Sequence, residues 1–355
     1  MSVHVSVIIS TFNRCDELSG TLEALLSQQT GGADYEVIVA DNNSTDRTRD
    51  TVDSFIARGH HQLRYVFEPR QGVSYGRNAA IAIARAPVIA FTDDDVIVAP
   101  DWVNNIRKAF DANPGIDYVT GKMLPIYDVP PPAWLTQDNT GPCVLRDRGD
   151  TPAYSTPGCF FPGWATANIA FRREVFDRIG GFSGDFPRGQ DLELIVRLWR
   201  ANGQGMYAPD VVVRHHIPTE RMTKAYHRMW HAREGDIRAR IGYREIFDVD
   251  GRIMRDPPPS PTLFRVPAFI YRDLILEAAG WLAAAATRDE GLTFLRECRM
   301  RQTIGYLRTR FREYTRERDG SHLSEIGAFA KALVVRKWRG RTLGAARTAN
   351  GRGKA

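Results

Sequence analysis

Three consecutive aspartates, Asp93, Asp94 and Asp95, close the stretch VIAFTDDDV, directly after the apolar run Val88-Ile89-Ala90-Phe91. Such a run reads as a buried strand. Adjacent carboxylates at its end repel one another unless positive charge compensates them. Hard divalent cations prefer carboxylate oxygens, and Mg2+ or Mn2+ is commonly held by one or two of them together with substrate phosphates. The cluster therefore predicts a metal ion carrying a diphosphate.

The elements that must position these acids follow from hydrophobic patterning. Apolar strands are expected at Val5–Ser10, Glu36–Asp41, Leu63–Glu68 and Val88–Thr92. Helical patterns alternate with them, over Asp16–Gln29 with Leu18, Leu22, Leu25 and Leu26 on one face, and over Tyr75–Ala86. Another helix is expected to start near Asn43-Ser44-Thr45, which are good N-cap residues. Continuous apolar strands alternating with helices predict an α/β fold, with a mostly parallel central sheet covered on both faces. Right-handed crossovers make it doubly wound. Ligands of such sheets bind beyond the carboxyl ends of the strands. That rule groups Thr11, Asn13 and Arg14, then Asp41, Asn42 and Asn43, then Glu68 and Arg70, with the three aspartates.

Composition bounds the rest. The chain has 355 residues, a formal charge of +6 and four cysteines without a CxxC pair. Dispersed cysteines argue against a zinc site or a disulfide framework and fit a reducing cytosol. The opening VHVSVIIS has neither a basic region nor a small-residue cleavage site, so no secretory signal is expected. The apolar run Ala278–Ala286 is too short to span a bilayer. A cytoplasmic protein is expected, soluble or peripheral at the inner face of the membrane.

The ordered segments VSVIISTFNR, VIVADNNSTDRT, GVSYGRNAAI, FTDDDV, GWATANIAFRREVFDRIGGF and GQDLELIVRLW resemble the motifs of family 2 glycosyltransferases. These are GT-A-fold, inverting enzymes that use nucleotide sugars, and the bacterial polysaccharide-assembly type is the nearest in character. The resemblance covers about 220 residues and implies roles along them. Asp41 would accept the N3–H of a uracil ring, and the backbone at Thr11 and Phe12, with Asn13 and Arg14, would line the nucleotide site. Arg70 and Arg77 would meet the diphosphate. Asp95 would ligate Mn2+ or Mg2+, with Asp93 or Asp94 on the ribose or on metal-bound water. His215, at the end of the strand-like DVVVRHH, would reach the metal or diphosphate; it alternates faces with His216, so one of the two points inward. Six residues further on, Arg221 completes that spacing.

Inverting transfer also needs a base for the acceptor hydroxyl. The resemblance assigns it to Asp191, near the start of a helix anchored by Leu194, Ile195 and Leu198. Gln190 stands where many relatives carry glutamate. Trp164 and Asn168 are the expected acceptor contacts, with Gln190 beside them. A nucleotidyltransferase would share the nucleotide pocket and acidic metal site, but would call for an activating lysine at the strand ends. A scaffold without activity in a glycan-assembly complex is the other alternative.

The expected organisation is a GT-A domain over residues 1–230, with a nucleotide-sugar half to about 125 and an acceptor half after it. A helical region over 231–345 follows, with a proline-rich spacer at Arg255–Pro261, and a disordered basic tail over 346–355. From Ser321 to the end there are eight lysines and arginines against Glu325 alone. With Trp281 and Trp338 in the same third of the chain, this predicts contact with an anionic membrane surface. The expected partners are a nucleotide-sugar donor and a glycan or lipid-linked acceptor, and no nucleic-acid-binding motif is present.

Overall fold

The computed structural model describes residues 3–32, 34–156, 165–243, 261–316, 326–327 and 329–331. Its described residues fall into two compact units, one running to Trp230 and one from His231 onward.

The first unit is built on a nine-stranded sheet in the order β3-β2-β1-β4-β8-β6-β9-β5, with β7 paired to β9. The strands β1 (Val5–Thr11), β2 (Tyr35–Asp41), β3 (Leu63–Phe67) and β4 (Val88–Thr92) are parallel neighbours. Both faces of β1, β2 and β4 are buried, so alternate residues enter different layers. Val5, Val7, Ile9, Val37 and Val39 pack with Leu18, Leu22 and Leu25 of α1 (Cys15–Leu26) and with Val52 and Phe55 of α2 (Thr48–Ala57). From β4, Phe91 meets Phe171, Phe176 and Phe182 edge-on, at centroid distances of 5.3–6.1 Å. Helix α3 (Val73–Ile83) links β3 to β4.

Beyond β4 the sheet turns mixed. Strand β5 (Val96–Val98) and α4 (Trp102–Ala112) lead to β6 (Tyr118–Tyr127), and β7 (Ala153–Ser155) follows. Then come β8 (Ile169–Arg172), α5 (Arg173–Ile179), α6 (Gln190–Arg200) and β9 (Gly205–Ile217). β8 runs antiparallel to both β4 and β6, and β9 runs parallel to β6. The β6–β9 register shifts between Thr120 and Lys122. Gly121 makes this possible, because a Cβ there would stand 1.8 Å from the Val211 carbonyl oxygen.

Three local expectations are corrected. Helix α1 ends at Leu26 because the chain leaves it to bond the next loop: Gln29 N donates to Pro100 O at 2.7 Å, and the Gln28 amide to Ala99 O at 2.9 Å. Asn43-Ser44-Thr45 do not cap α2, which starts at Thr48; Asp46 Oδ1 takes Thr48 N at 3.0 Å instead. Asn168 is no acceptor contact. It is fully buried, its Oδ1 accepts from Trp102 Nε1, and its Nδ2 donates to Lys122 O and Val211 O, each at 2.9 Å. Every polar atom of that amide is committed to joining α4, β6 and β9.

Helix α7 (Lys224–Arg240) runs into the second unit, which holds β10 (Thr262–Leu263), β11 (Val266–Pro267), α8 (Ala268–Ala286) and α9 (Glu290–Arg316). Gly235 and Gly305 let α7 and α9 cross closely, since a Cβ on Gly235 would stand 2.0 Å from Gln302 O. Trp281 is half-buried on α8. Residues 255–260 of the proline-rich spacer, Trp338 and the 346–355 tail lie outside the described residues, as do all the basic residues after Ser321 except Lys331.

Asn168→Ala should lower stability by about 2–4 kcal/mol, because it leaves the Trp102 indole and two buried carbonyls without partners. Equilibrium urea unfolding of the variant measures this; an unchanged midpoint would contradict the clamp.

Candidate functional site

The positive charge facing Asp93–Asp95 comes from three separate segments. Arg14, just past β1, donates from Nη1 to Asp94 Oδ1 at 2.7 Å and from Nη2 to Asp95 Oδ2 at 2.9 Å. Arg77, on α3, lies 3.5 Å from Asp93 Oδ1. His215, near the end of β9, brings Nε2 to 3.2 Å from Asp95 Oδ1. Asp94 and Asp95 are buried, whereas Asp93 is one-third exposed. Burial pushes the Asp94 carboxyl up to about 7 despite Arg14. Burial opposes ionisation of Asp95 too, but His215 and Arg14 outweigh it and hold that carboxyl well below the usual range. Thr21, on the buried face of α1, fixes the turn by donating to Asp94 O at 2.9 Å and accepting from Val96 N.

The surroundings of His215 test whether a cation fits. The ring is buried, and Nδ1 lies 3.2 Å from Cys143 O, which can only accept. A neutral imidazole bonded this way carries its proton on Nδ1 and turns the Nε2 lone pair toward Asp95. Beyond His215 Nε2, Asp95 Oδ1 has no hydrogen-bond partner. The 3.2 Å contact between Nε2 and Asp95 Oδ1 is closed either by a proton, as a charge-assisted hydrogen bond, or by a cation held between the two atoms. Adjacent ligands around an octahedral ion with bonds of about 2.1 Å stand about 3 Å apart. A backbone carbonyl on the far ring nitrogen is also the usual support of a metal-binding histidine. The donors fit a divalent ion. Among the described residues no three His, Cys, Asp or Glu side chains gather to hold one alone, so phosphate and water oxygens would have to complete the shell. His216 is exposed, as the strand alternation requires.

Beside this turn, the edge formed by β1, β2 and β3 carries the expected nucleoside residues. Asp41 is buried, accepting from Ser44 N at 2.8 Å and from the Tyr65 hydroxyl at 2.7 Å. Its peptide oxygen accepts from Glu68 N, and Thr11 O accepts from Asn42 N. Asn13 adopts a left-handed backbone (φ 52°) and takes Thr45 N on Oδ1 at 2.7 Å. Phe12 projects into solvent. Arg70 forms a two-pronged pair with Glu68, at 2.8 and 3.0 Å. That pair holds the Glu68 carboxyl down at about 2.

On the other side, Arg77 is buried and donates Nη2 to Thr166 Oγ1 at 2.8 Å, while its Nη1 has no partner. It experiences the fields of Asp93, Asp191 and Asp94 in turn, although burial is the largest influence and lowers its pKa. Asp191 lines a small cleft with Ala165, Thr166, Phe182 and Ile195, in the first turn of α6. The neighbouring Asn78 binds both backbone atoms of Phe182, each at 2.8 Å. Adjacent Arg and Asn side chains therefore divide the work, one in the site and one holding its far wall. Gln190 is buried with an unpaired Oε1. Glu193 is occupied by Arg197 at 2.8 and 2.7 Å. Arg221 also acts electrostatically on Asp93. Trp164 lies outside the described residues. Thr166, Thr21 and the Cys143 carbonyl went unremarked in the sequence, whereas Asn78 stood in it only as the partner of Arg77 in the Arg-Asn pair. Only a polar residue at a buried helical position, as at Thr21, could have signalled any of them.

The mixed α/β sheet flanked by helices, with an acidic turn past β4 and a carboxylate in the α6 cleft, has a GT-A architecture. Residues 6–180 match the model of Glycosyl transferase family 2, so the chain carries a domain of that family. It is 33% identical over 220 residues to validoxylamine A glucosyltransferase of Streptomyces hygroscopicus subsp. jinggangensis, covering 55% of this chain and 51% of that one. Succinoglycan biosynthesis protein ExoM of Rhizobium meliloti is 25% identical over 248 residues, 68% of this chain and 75% of that one. The chain spans about half the length of the first curated relatives that it matches. Among solved structures, mannosyltransferase PcManGT from Pyrobaculum calidifontis, in complex with GDP-Man and Mn2+, aligns with a TM-score of 0.55 at 21% identity. That alignment covers 86% of this chain and 88% of PcManGT.

A carboxyl depressed in the folded state stabilises above its unfolded pKa, about 4.3 for glutamate, and loses that contribution as pH falls through the folded value. Arg70→Ala should therefore return Glu68 toward about 4 and move acid unfolding to higher pH. Carboxyl NMR titration reads the first and circular dichroism the second. A Glu68 midpoint still near 2 in the variant would refute the pairing.

Proposed function

We propose that the protein transfers a sugar with inversion from a nucleoside diphosphate sugar, preferentially UDP-linked, to a hydroxyl of a glycan or lipid-linked glycan. The observation that carries this reading is Arg77, 3.5 Å from Asp93 Oδ1 on the donor side and bonded to Thr166, which lines one cleft with Asp191 on the other. One buried cation thereby joins the diphosphate-binding and proton-accepting ends of a single site.

Asp41 is the proposed acceptor for the N3–H of uracil; each carboxylate oxygen retains a lone pair beyond the bond that it already accepts. Thr11, Phe12 and Asn13 frame the nucleoside. Arg70 and the unpaired Nη1 of Arg77 are the proposed diphosphate donors, and Asp93 the ribose contact. Asp95 and His215 would hold Mn2+ or Mg2+, which as a Lewis acid offsets charge on the departing nucleoside diphosphate. Asp191 takes the acceptor proton as the hydroxyl attacks the anomeric carbon, and the α6 dipole favours its ionised form. Gln190, with its unpaired Oε1, is the proposed partner for an acceptor hydroxyl. The Mn2+ and GDP-Man bound to PcManGT support a metal and a nucleotide sugar in this fold, and ExoM's part in succinoglycan biosynthesis supports a polysaccharide acceptor.

Peripheral membrane contact is the second part of the reading. No helix among the described residues is long and apolar enough to cross a bilayer. On α8, however, Ile275, Leu276 and Leu282 are exposed along one face that also includes Ala279, Ala283 and Ala286. Exposed Arg272 lies at its start and exposed Arg288 just past its end. An apolar stripe flanked by arginines suits an anionic interface.

Asp191→Asn preserves shape and removes the base, so donor affinity should persist while kcat falls by about 10²–10⁴-fold. Calorimetric UDP binding with single-turnover transfer separates the two, and wild-type transfer rates would defeat the assignment. The full chain should also sediment with anionic vesicles at low salt and be released by added salt. Ile275→Asp with Leu282→Asp should weaken that binding; equal binding by this variant would remove α8 from the interface.

A further inference from the structure

We infer that Arg14 is the resident counter-cation of the acidic turn, so that a divalent ion binds there together with the nucleoside diphosphate and not ahead of it. This rests on the metal-assisted reading above and concerns the order and coupling of binding.

The Arg14 guanidinium spans two of the three aspartates, at 2.7 Å from Asp94 Oδ1 and 2.9 Å from Asp95 Oδ2. A planar fork satisfies two carboxylates at once, which a compact ammonium matches less well. Asp95 Oδ1 is the carboxylate oxygen not engaged by Arg14, and it lies beside His215 Nε2. Asp94 has one carboxylate oxygen on Arg14 and its peptide oxygen on Thr21. Arg77 lies against Asp93. Three carboxylates thus face two permanent cations, and the remaining charge is small. A hard divalent ion sheds its water reluctantly and needs several anionic oxygens in exchange. Two ready donors and little net charge do not supply them, whereas a diphosphate brings both oxygens and charge. Removing Arg14 would free Asp95 to bind through both oxygens, release Asp94 and deepen the negative potential at the turn.

Two affinities test this: Mn2+ binding without and with UDP, read by the electron paramagnetic resonance of free Mn2+ and by calorimetry. The wild type should bind Mn2+ far more tightly with UDP than without it. Arg14→Ala should bind Mn2+ alone about ten-fold more tightly than the wild type or better, and the Mn2+–UDP coupling should shrink accordingly. Arg14→Lys retains the charge and should stay close to the wild type in Mn2+ affinity. Should the alanine variant fail to fold by circular dichroism, Arg14→Gln, neutral but still a donor, carries the same expectation. Equal Mn2+ affinity in the wild type and the neutral variants would overturn the inference, as would a lysine variant behaving like alanine. Failure of the wild type to bind UDP at all would instead sink the functional reading, while the Mn2+-only comparison would still decide the role of Arg14.

Discussion

Three carboxylates on consecutive residues at the end of a buried strand form the constraint around which the rest of the site is arranged. Asp94 and Asp95 are buried, and a carboxylate removed from water must be neutralised or paired. The pairing groups come from remote parts of the chain: Arg14 after β1, Arg77 within α3 and His215 near the end of β9. Each holds its own segment against the turn. Charge compensation therefore does structural and functional work together, assembling the strand ends while leaving Arg77 Nη1 without a partner and Asp95 Oδ1 with His215 Nε2 alone. Unsatisfied buried polar atoms are costly in a fold, and here they mark where ligand atoms would complete the network.

The sheet explains why these groups meet. In the order β3-β2-β1-β4, the chain moves outward from β1 to β3 and then returns through α3 to place β4 on the other side of β1. The crevice at that reversal is the usual ligand position in an open α/β sheet, and Arg14 and the acidic turn flank it. The antiparallel half supplies the opposite wall through Thr166, the Asn78-bound turn at Phe182, and α6 with Asp191. Asn168 keeps that half in register with α4 from inside.

Legibility in the sequence followed the physics of each element. Strands β1, β2 and β4 were readable because both faces are buried, which leaves nearly uninterrupted apolar runs with polar residues at their ends. The inward turn of one histidine at 215 and 216 followed from the two-residue strand period. The mixed half was less readable, since β8 has four residues and a strand that short carries little periodicity. Asn168 misled because an asparagine amid aromatic residues suggests a sugar contact, whereas its three bonds are internal and visible only in three dimensions. Asn43-Ser44-Thr45 read as a helix cap, yet Ser44 and Thr45 bond to Asn13 across 31 and 32 residues. The acidic run pointed to a missing positive partner. Its composition could not reveal that arginines and a histidine answer much of that charge from within the chain.

The central claim is that the facing atoms Asp95 Oδ1 and His215 Nε2 are two ligands of one divalent ion under a diphosphate. The most direct measurement is anomalous diffraction at the manganese edge from crystals of the protein grown with UDP and Mn2+. The account predicts one anomalous peak within about 2.3 Å of both atoms, with diphosphate oxygens on its far side. A peak bound elsewhere, or ordered UDP with His215 still against Asp95 and no metal between them, would contradict it.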